Sequence, residues 1–103
     1  MYLRITSNTI ERGKAEELRA VIQEMDRHRA KTGYAAVEWL TSLTGRPDEL
    51  ISVQRYERLT DYETALEQVG NDPAYLALLG RLKACTVAGV GHIQLLRTFH
   101  QES

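Results

Sequence analysis

The chain has a single cysteine, Cys85, so an intrachain disulfide and a cysteine cage for a metal are both excluded. It has no apolar run of transmembrane length, and Met1 leads straight into an alternating segment without a signal-peptide pattern. It lacks an excess of charge: a net −1 gives no footprint for nucleic acid or for an anionic membrane. The one dense basic stretch, Arg27-His28-Arg29 with Lys31, follows Glu24 and Asp26 and reads as a solvated, salt-bridged helix end. Its three histidines, His28, His92 and His100, are scattered, with no carboxylate at ligand spacing, so no metal site is expected. Gly89 and Gly91 do not join a strand to a helix, so no nucleotide loop is implied. Repeats and low-complexity segments are also absent. A reducing cytoplasm is the default compartment, and Cys85 reads as buried filler, because no partner base is apparent.

What is present is alternation. At 103 residues the chain suits one domain with one core. Four extended segments each carry an apolar and a polar stripe, as side chains of a strand alternate faces. Leu3, Ile5, Val37, Trp39, Ile51, Val53, Ile93 and Leu95 fall in the apolar set. Arg4, Thr6, Asn8, Glu38, Ser52, Gln54, Tyr56, His92 and Gln94 fall in the polar set. This predicts one sheet with an oily face covered by helices. The mixed face, to which Tyr2, Leu40, Tyr56 and Leu96 add apolar area, is left for a partner subunit or a ligand.

The first strand is expected over residues 1–9 and the first helix from Lys14 to Lys31, with Leu18, Val21, Ile22 and Met25 at helical spacing and Gly33 as its end. Residues 34–43 and 50–57 form a hairpin around Thr44-Gly45-Arg46-Pro47-Asp48. Thr60 and Glu63 read as a capping box for a second helix, which Asp72-Pro73 restarts at a new angle. Gly89 and Gly91 flank the start of a last strand that reaches Phe99. The order β-α-β-β-α-β with right-handed crossovers predicts an α+β, ferredoxin-like domain over residues 1–99. Its four-stranded antiparallel sheet has the order 4-1-3-2, and residues 100–103 form a polar tail.

This arrangement resembles the dimeric α+β barrel superfamily, in particular small proteins similar to the antibiotic-biosynthesis monooxygenases and the NIPSNAP-type domains. The resemblance is carried by Thr32-Gly33-Tyr34, the hairpin, and Val53-Gln54-Arg55-Tyr56-Glu57-Arg58 through Ala65-Leu66-Glu67 to Asp72-Pro73; Glu11-Arg12-Gly13-Lys14 adds a glycine-lysine helix start of the NIPSNAP kind. It implies a homodimer with two sheets face to face; for this chain no metal and no cofactor are expected. Haem-oxidising members of the family use an Asn, a Trp and a His. Asn8 matches the first, but Tyr56 stands at the Trp position and Val69 at the His position. Haem iron needs an axial donor, so haem degradation does not carry over. The quinone-forming monooxygenases need no metal, because the substrate phenolate itself reduces oxygen. Their protein contribution is deprotonation, positioning and water exclusion.

The candidate ligand is a small apolar or aromatic molecule. Tyr56 pairs an aromatic wall with a hydroxyl, and His92 titrates near neutrality, so these two are the proton-handling candidates. Tyr56 reads equally as an interface residue, and His92 reads more readily as a hydrogen-bonded histidine at a dimer interface. Arg4 suits a carboxylate or phenolate, or an ion pair across a dimer. Asn8 and Gln54 can fix a ligand carbonyl or satisfy each other. Glu38 and Leu40 complete the ligand-side set, although the third strand separates Glu38 from Arg4. Trp39 reads as core. Three functions therefore stand open: a ligand-binding protein, a cofactor-independent monooxygenase (or related isomerase or decarboxylase) acting on an aromatic or polyketide-like compound, and a purely structural dimerisation module.

Overall fold

Period-two alternation needs a neighbour strand to become a sheet, and here the central pair is β1 (Tyr2–Thr9) with β3 (Glu49–Tyr56), antiparallel along their whole length. The edges are β2 (Glu38–Thr41) beside β3 and β4 (His92–Arg97) beside β1. The sheet order is β2-β3-β1-β4, which read from the other edge is the expected 4-1-3-2. The structure, a computed structural model, describes residues 1–99; the expected tail and His100 lie outside the described residues.

Helix α1 (Ala15–Thr32) buries Leu18, Val21, Met25 and Arg29, one stripe at steps of three and four, and carries Glu16 and Glu17 in its first turn. Gly33 ends it in the left-handed region at φ 79°, its N–H reaching the Arg29 carbonyl at 2.9 Å. Helix α2 (Leu59–Gly70) is capped two residues earlier than expected, at Arg58: Asp61 Oδ2 accepts the Arg58 N–H at 3.2 Å, and Thr60 is already helical. Helix α3 (Pro73–Ala84) starts as expected, with Asp72 accepting the Tyr75 N–H at 3.2 Å and Pro73 in the first turn. The second strand is shorter than the residue 34–43 segment expected.

The core has two apolar clusters, Leu18 with Leu50 and Cys85, and Val21 with Met25 and Tyr75. Trp39 and Leu82 pack against both. Cys85 is fully buried, and desolvation pushes its thiol above the ordinary value.

The faces require a correction. The register sets Arg4 opposite Gln54, Thr6 opposite Ser52 and Asn8 opposite Leu50. Directly opposed residues share a face, and Leu50 lies in the helix-packed core, so the polar stripe of the central strands faces the helices. The oily stripe, Leu3, Ile5, Ile51 and Val53, faces away from them. The edge strands run in the opposite phase: Trp39 pairs with Ser52, Ile93 with Thr6 and Leu95 with Arg4, so these three apolar residues join the polar centre on the helix side. Glu38, Leu40, His92, Gln94 and Leu96 lie on the helix-free face, opposite or beside Val53, Ile51, Ser7, Ile5 and Leu3. Tyr56, expected on the open face, is buried beneath α2.

Met25 is almost fully buried, whereas Leu43 in the hairpin turn is exposed. Met25→Ala should therefore lower the unfolding free energy by about 2–5 kcal/mol. Leu43→Ala should change it by no more than about 0.5 kcal/mol. Urea unfolding followed by circular dichroism checks both.

Candidate functional site

Turning polar side chains toward a helix layer leaves space that apolar side chains would otherwise fill. A cavity of about 470 Å³ lies there, with Arg4, Thr6, Ser52 and Gln54 as its floor. Met25 and Arg29 of α1, Trp39 of β2, and Tyr75, Leu79 and Leu82 of α3 form the walls. The segment from Thr86 to Ile93 borders it on the β4 side. A Cβ at Gly91 would run into Asn8 Oδ1 and lie 3.2 Å from the Ser7 carbonyl, so a larger residue there would push the Asn8 side chain aside.

Most of the floor is satisfied within itself. Thr6 and Ser52 share a short hydroxyl–hydroxyl hydrogen bond, and Arg4 Nη1 donates to Gln54 Oε1 at 3.2 Å. Arg29 is only 8% exposed; its Nη1 donates to the Ala35 carbonyl at 2.8 Å, and its guanidinium lies 4.7 Å over the Tyr75 ring. Among the described residues, three buried side-chain atoms have no hydrogen-bond partner: Arg4 Nε, Arg29 Nε and the Tyr75 hydroxyl oxygen. Beyond them a second space of about 90 Å³ is lined by Tyr34, Tyr56, Tyr62 and Val69. Tyr56 meets Tyr62 edge-on at 5.5 Å. Burial raises the Tyr56 hydroxyl pKa, against the pull of Arg29 and Arg4, so at neutral pH it is a proton donor and not a base.

The structure thus brings Arg4, Asn8 and Gln54 together on the large cavity. It places Tyr56 on the small one. His92 borders the mouth, but its register opposite Ser7 assigns it to the helix-free face, and it is exposed. Tyr56 and His92 therefore do not form a pair. Glu38 is also away from the cavity, bound to Arg55 Nη1 at 2.8 Å, and Leu40 lies 41% exposed on that same helix-free face. The cause is common to all three: the edge strands are one residue out of phase with the centre. Arg29 and Tyr75 were not anticipated. The signal for Arg29 was its position four residues after Met25, where the apolar stripe of α1 continues onto a cation.

Behind the cavity a polar cluster ties α1 to α3. Asp72 Oδ2 receives the Tyr34 hydroxyl at 2.7 Å and lies 2.7 Å from His28 Nε2, while its other oxygen caps Tyr75. The rings of His28, Tyr34 and Tyr75 pack against one another at 5.6–5.9 Å. The Tyr34 hydroxyl and then His28 hold the Asp72 carboxyl down at about 2, from an ordinary 3.8. The same hydrogen bond raises the Tyr34 pKa.

No family model matches this chain, and no curated protein does. Solved structures do. A NIPSNAP domain protein from Burkholderia xenovorans superposes with a TM-score of 0.76 at 17% identity, over 100% of both chains. A NIPSNAP family protein from Agrobacterium tumefaciens gives 0.78 at 16% identity, over 96% of this chain and 93% of that one. SnoaB, a cofactor-independent oxygenase from Streptomyces nogalater, gives 0.71 at 13% identity, over 97% of this chain and 94% of that one. The likeness is one of fold. It agrees with the ferredoxin-like α+β architecture and with the NIPSNAP and antibiotic-biosynthesis-monooxygenase resemblance. Val69, at the position of the haem-ligating His, packs in the Val21–Met25–Tyr75 cluster and offers no donor, so these residues do not fit haem. Among the described residues no group of three His, Cys, Asp or Glu side chains is placed to hold a metal ion, and no helix is long and apolar enough to cross a membrane.

Because the folded pKa of Asp72 lies below its unfolded value, its contacts stabilise the fold fully above about pH 4. That contribution falls away as pH drops from 3.8 toward 2. Asp72→Asn should lower the melting temperature at neutral pH and flatten its dependence on pH across that window. A thermal-melt series on both proteins measures the effect.

Proposed function

We propose that this protein binds a small, largely apolar or aromatic molecule in the cavity between its sheet and its helices. The carrying observation is the composition of that cavity: apolar walls from Met25, Trp39, Leu79 and Leu82 stand over a floor of Arg4, Thr6, Ser52 and Gln54. Its volume, about 470 Å³, lies in the range of small-molecule sites, and a few convergent polar groups on an apolar background are how such sites orient a ligand. Asn8, beside Gly91 at the mouth, is placed to meet a ligand carbonyl.

The partner we propose is a second copy of the chain, joined through the helix-free face. Leu3, Ile5 and Ile51 form an apolar centre there beside the already buried Val53, widened by Leu40 and Leu96, which are 41% and 42% exposed. A contiguous apolar face of this kind supports self-association. The unit that pairs is the single domain over residues 1–99, acting in the cytoplasm.

A second reading, cofactor-independent oxygenation of an aromatic or polyketide-like substrate, is favoured by the fold shared with SnoaB. An isomerase or decarboxylase would use the same cavity. In that chemistry the substrate carries the reducing electrons, and the chain would position it and exclude water. Arg4, Asn8 and Gln54 would do the positioning, with Tyr56 donating a hydrogen bond from the adjoining space.

Two measurements test these proposals. Aromatic ligands should change the fluorescence of Trp39, the single tryptophan, and Leu79→Trp should fill the cavity and weaken binding at least about tenfold. Mass spectrometry of molecules carried through native purification, followed by oxygen uptake on phenols, separates binder from oxygenase; no ligand and no binding would leave only a dimerisation module. Sedimentation should show a dimer at micromolar concentration that Leu40→Glu dissociates, and a stable wild-type monomer would remove the dimer.

A further inference from the structure

The charge on the cavity is as one-sided as its walls are apolar. Arg4, Arg29 and Lys83 line the large cavity, and neither it nor the smaller space has an Asp or Glu on its lining. Arg4 and Arg29 line both spaces, so they stand at the junction between them. Among the described residues, the ion pairs formed by arginine are Arg46–Asp48, Arg55–Glu38, Arg58–Asp61 and Arg81–Glu24. Arg4 and Arg29, by contrast, find only the neutral oxygens of Gln54 and Ala35. Asp26, whose charge reaches Tyr75, accepts the Trp39 indole N–H at 3.0 Å.

A buried guanidinium at Arg29 and a half-buried one at Arg4, neither with a counter-charge, are costly, and each retains a buried Nε–H without a hydrogen-bond partner. The Tyr75 hydroxyl, also buried, lies close enough to Arg29 to feel its N–H groups, which can only donate to it, so its own O–H proton is a third donor without an acceptor. These donors come from three different elements, β1, α1 and α3, and all three residues border both spaces. We infer that the cavity takes its ligand by an anionic head, a carboxylate held by Arg4, Arg29 and the Tyr75 hydroxyl, with the apolar or aromatic body lying toward Trp39 and Leu82. This rests on the cavity being a binding site at all. A carboxylate is the match because its two oxygens can accept from several N–H and O–H donors at once, and charge-assisted bonds to arginine are the strong ones. A phosphate dianion would bring more charge and more lone pairs than three donors satisfy.

The test uses two nearly isosteric probes, para-tert-butylbenzoate and para-tert-butylbenzamide, titrated into the intact protein by calorimetry at neutral pH. The benzoate should bind at least about tenfold more tightly than the amide. Arg4→Gln and Arg29→Gln should each bring the benzoate down toward the affinity of the amide and leave the amide unchanged. Arg29→Gln also loses the bond to Ala35, so if circular dichroism shows it unfolded, Arg4→Gln alone decides. Equal affinities for the two probes would overturn the anionic head and leave the cavity reading standing. Displacement of the benzoate by inorganic phosphate at comparable concentration would overturn the carboxylate with an apolar body. Binding of neither probe would remove both the inference and the reading beneath it.

Discussion

Along the seam between β1 and β3, Arg4 lies against Gln54 and Thr6 against Ser52, and this polar ladder is turned toward the helices. Everything else follows from that orientation. A helix layer normally closes on a sheet by interdigitating apolar side chains at crystal-like density. Here it closes fully only at one end, where Leu18 and Cys85 meet Leu50, and on the β2 side, where Val21 and Met25 meet Trp39. Over the ladder the helices cannot collapse without stranding Arg4 and Gln54 in a dry, apolar contact. The cavity is the result. The same orientation leaves Leu3, Ile5 and Ile51 on the outer face, where an apolar surface needs a cover.

How much of this could be read from the residues depended on what kind of signal each carries. Gly33, Asp72 and Pro73 act locally through backbone conformation and capping, and they fell where expected. Strand order followed from the alternation of elements and the hand of the crossovers. The faces did not follow, because period-two alternation is unchanged when the two faces are exchanged. Assigning the apolar stripe to the core assumes a chain that buries its oil under its own helices. The phase of an edge strand against its neighbour is likewise set by the geometry of a loop, the Ser42–Asp48 hairpin for β2 and the glycine-bordered segment before β4. A one-residue difference there left Trp39, Ile93 and Leu95 on the helix side and His92, Glu38 and Leu40 on the helix-free side, as expected, while Arg4, Asn8, Gln54 and Tyr56 turned to the helices. Arg4, Asn8 and Gln54 stayed together because they sit on the central strands, whose mutual register the polar pairs themselves fix.

Arg29 and Tyr75 eluded the reading for a different reason. An arginine on a helix is ordinarily solvated, and a tyrosine among leucines is ordinarily core. Only the tertiary arrangement makes them a pair, with the guanidinium stacked on the ring and bonded to the Ala35 carbonyl. Their pairing depends in turn on the cluster behind it. Asp72 caps α3 at Tyr75 and reaches both His28, one residue before Arg29, and Tyr34, just beyond the end of α1. One carboxylate thus fixes the start of α3 and the last turn of α1 relative to each other.

That arrangement links the stability of the helix layer to the shape of the cavity. Tyr75 faces the cavity with its ring and the cap with its backbone N–H, and Arg29 bridges from the Tyr75 ring to the loop before β2. Loss of the Asp72 charge weakens the cap and the two side-chain contacts together, and it does so at the elements carrying two of the three unsatisfied donors. The central strands, whose ladder does not touch Asp72, keep Arg4 and Gln54 in place. Acid should therefore loosen the helix wall of the cavity before it disturbs the sheet floor, because the two are held by separate sets of bonds.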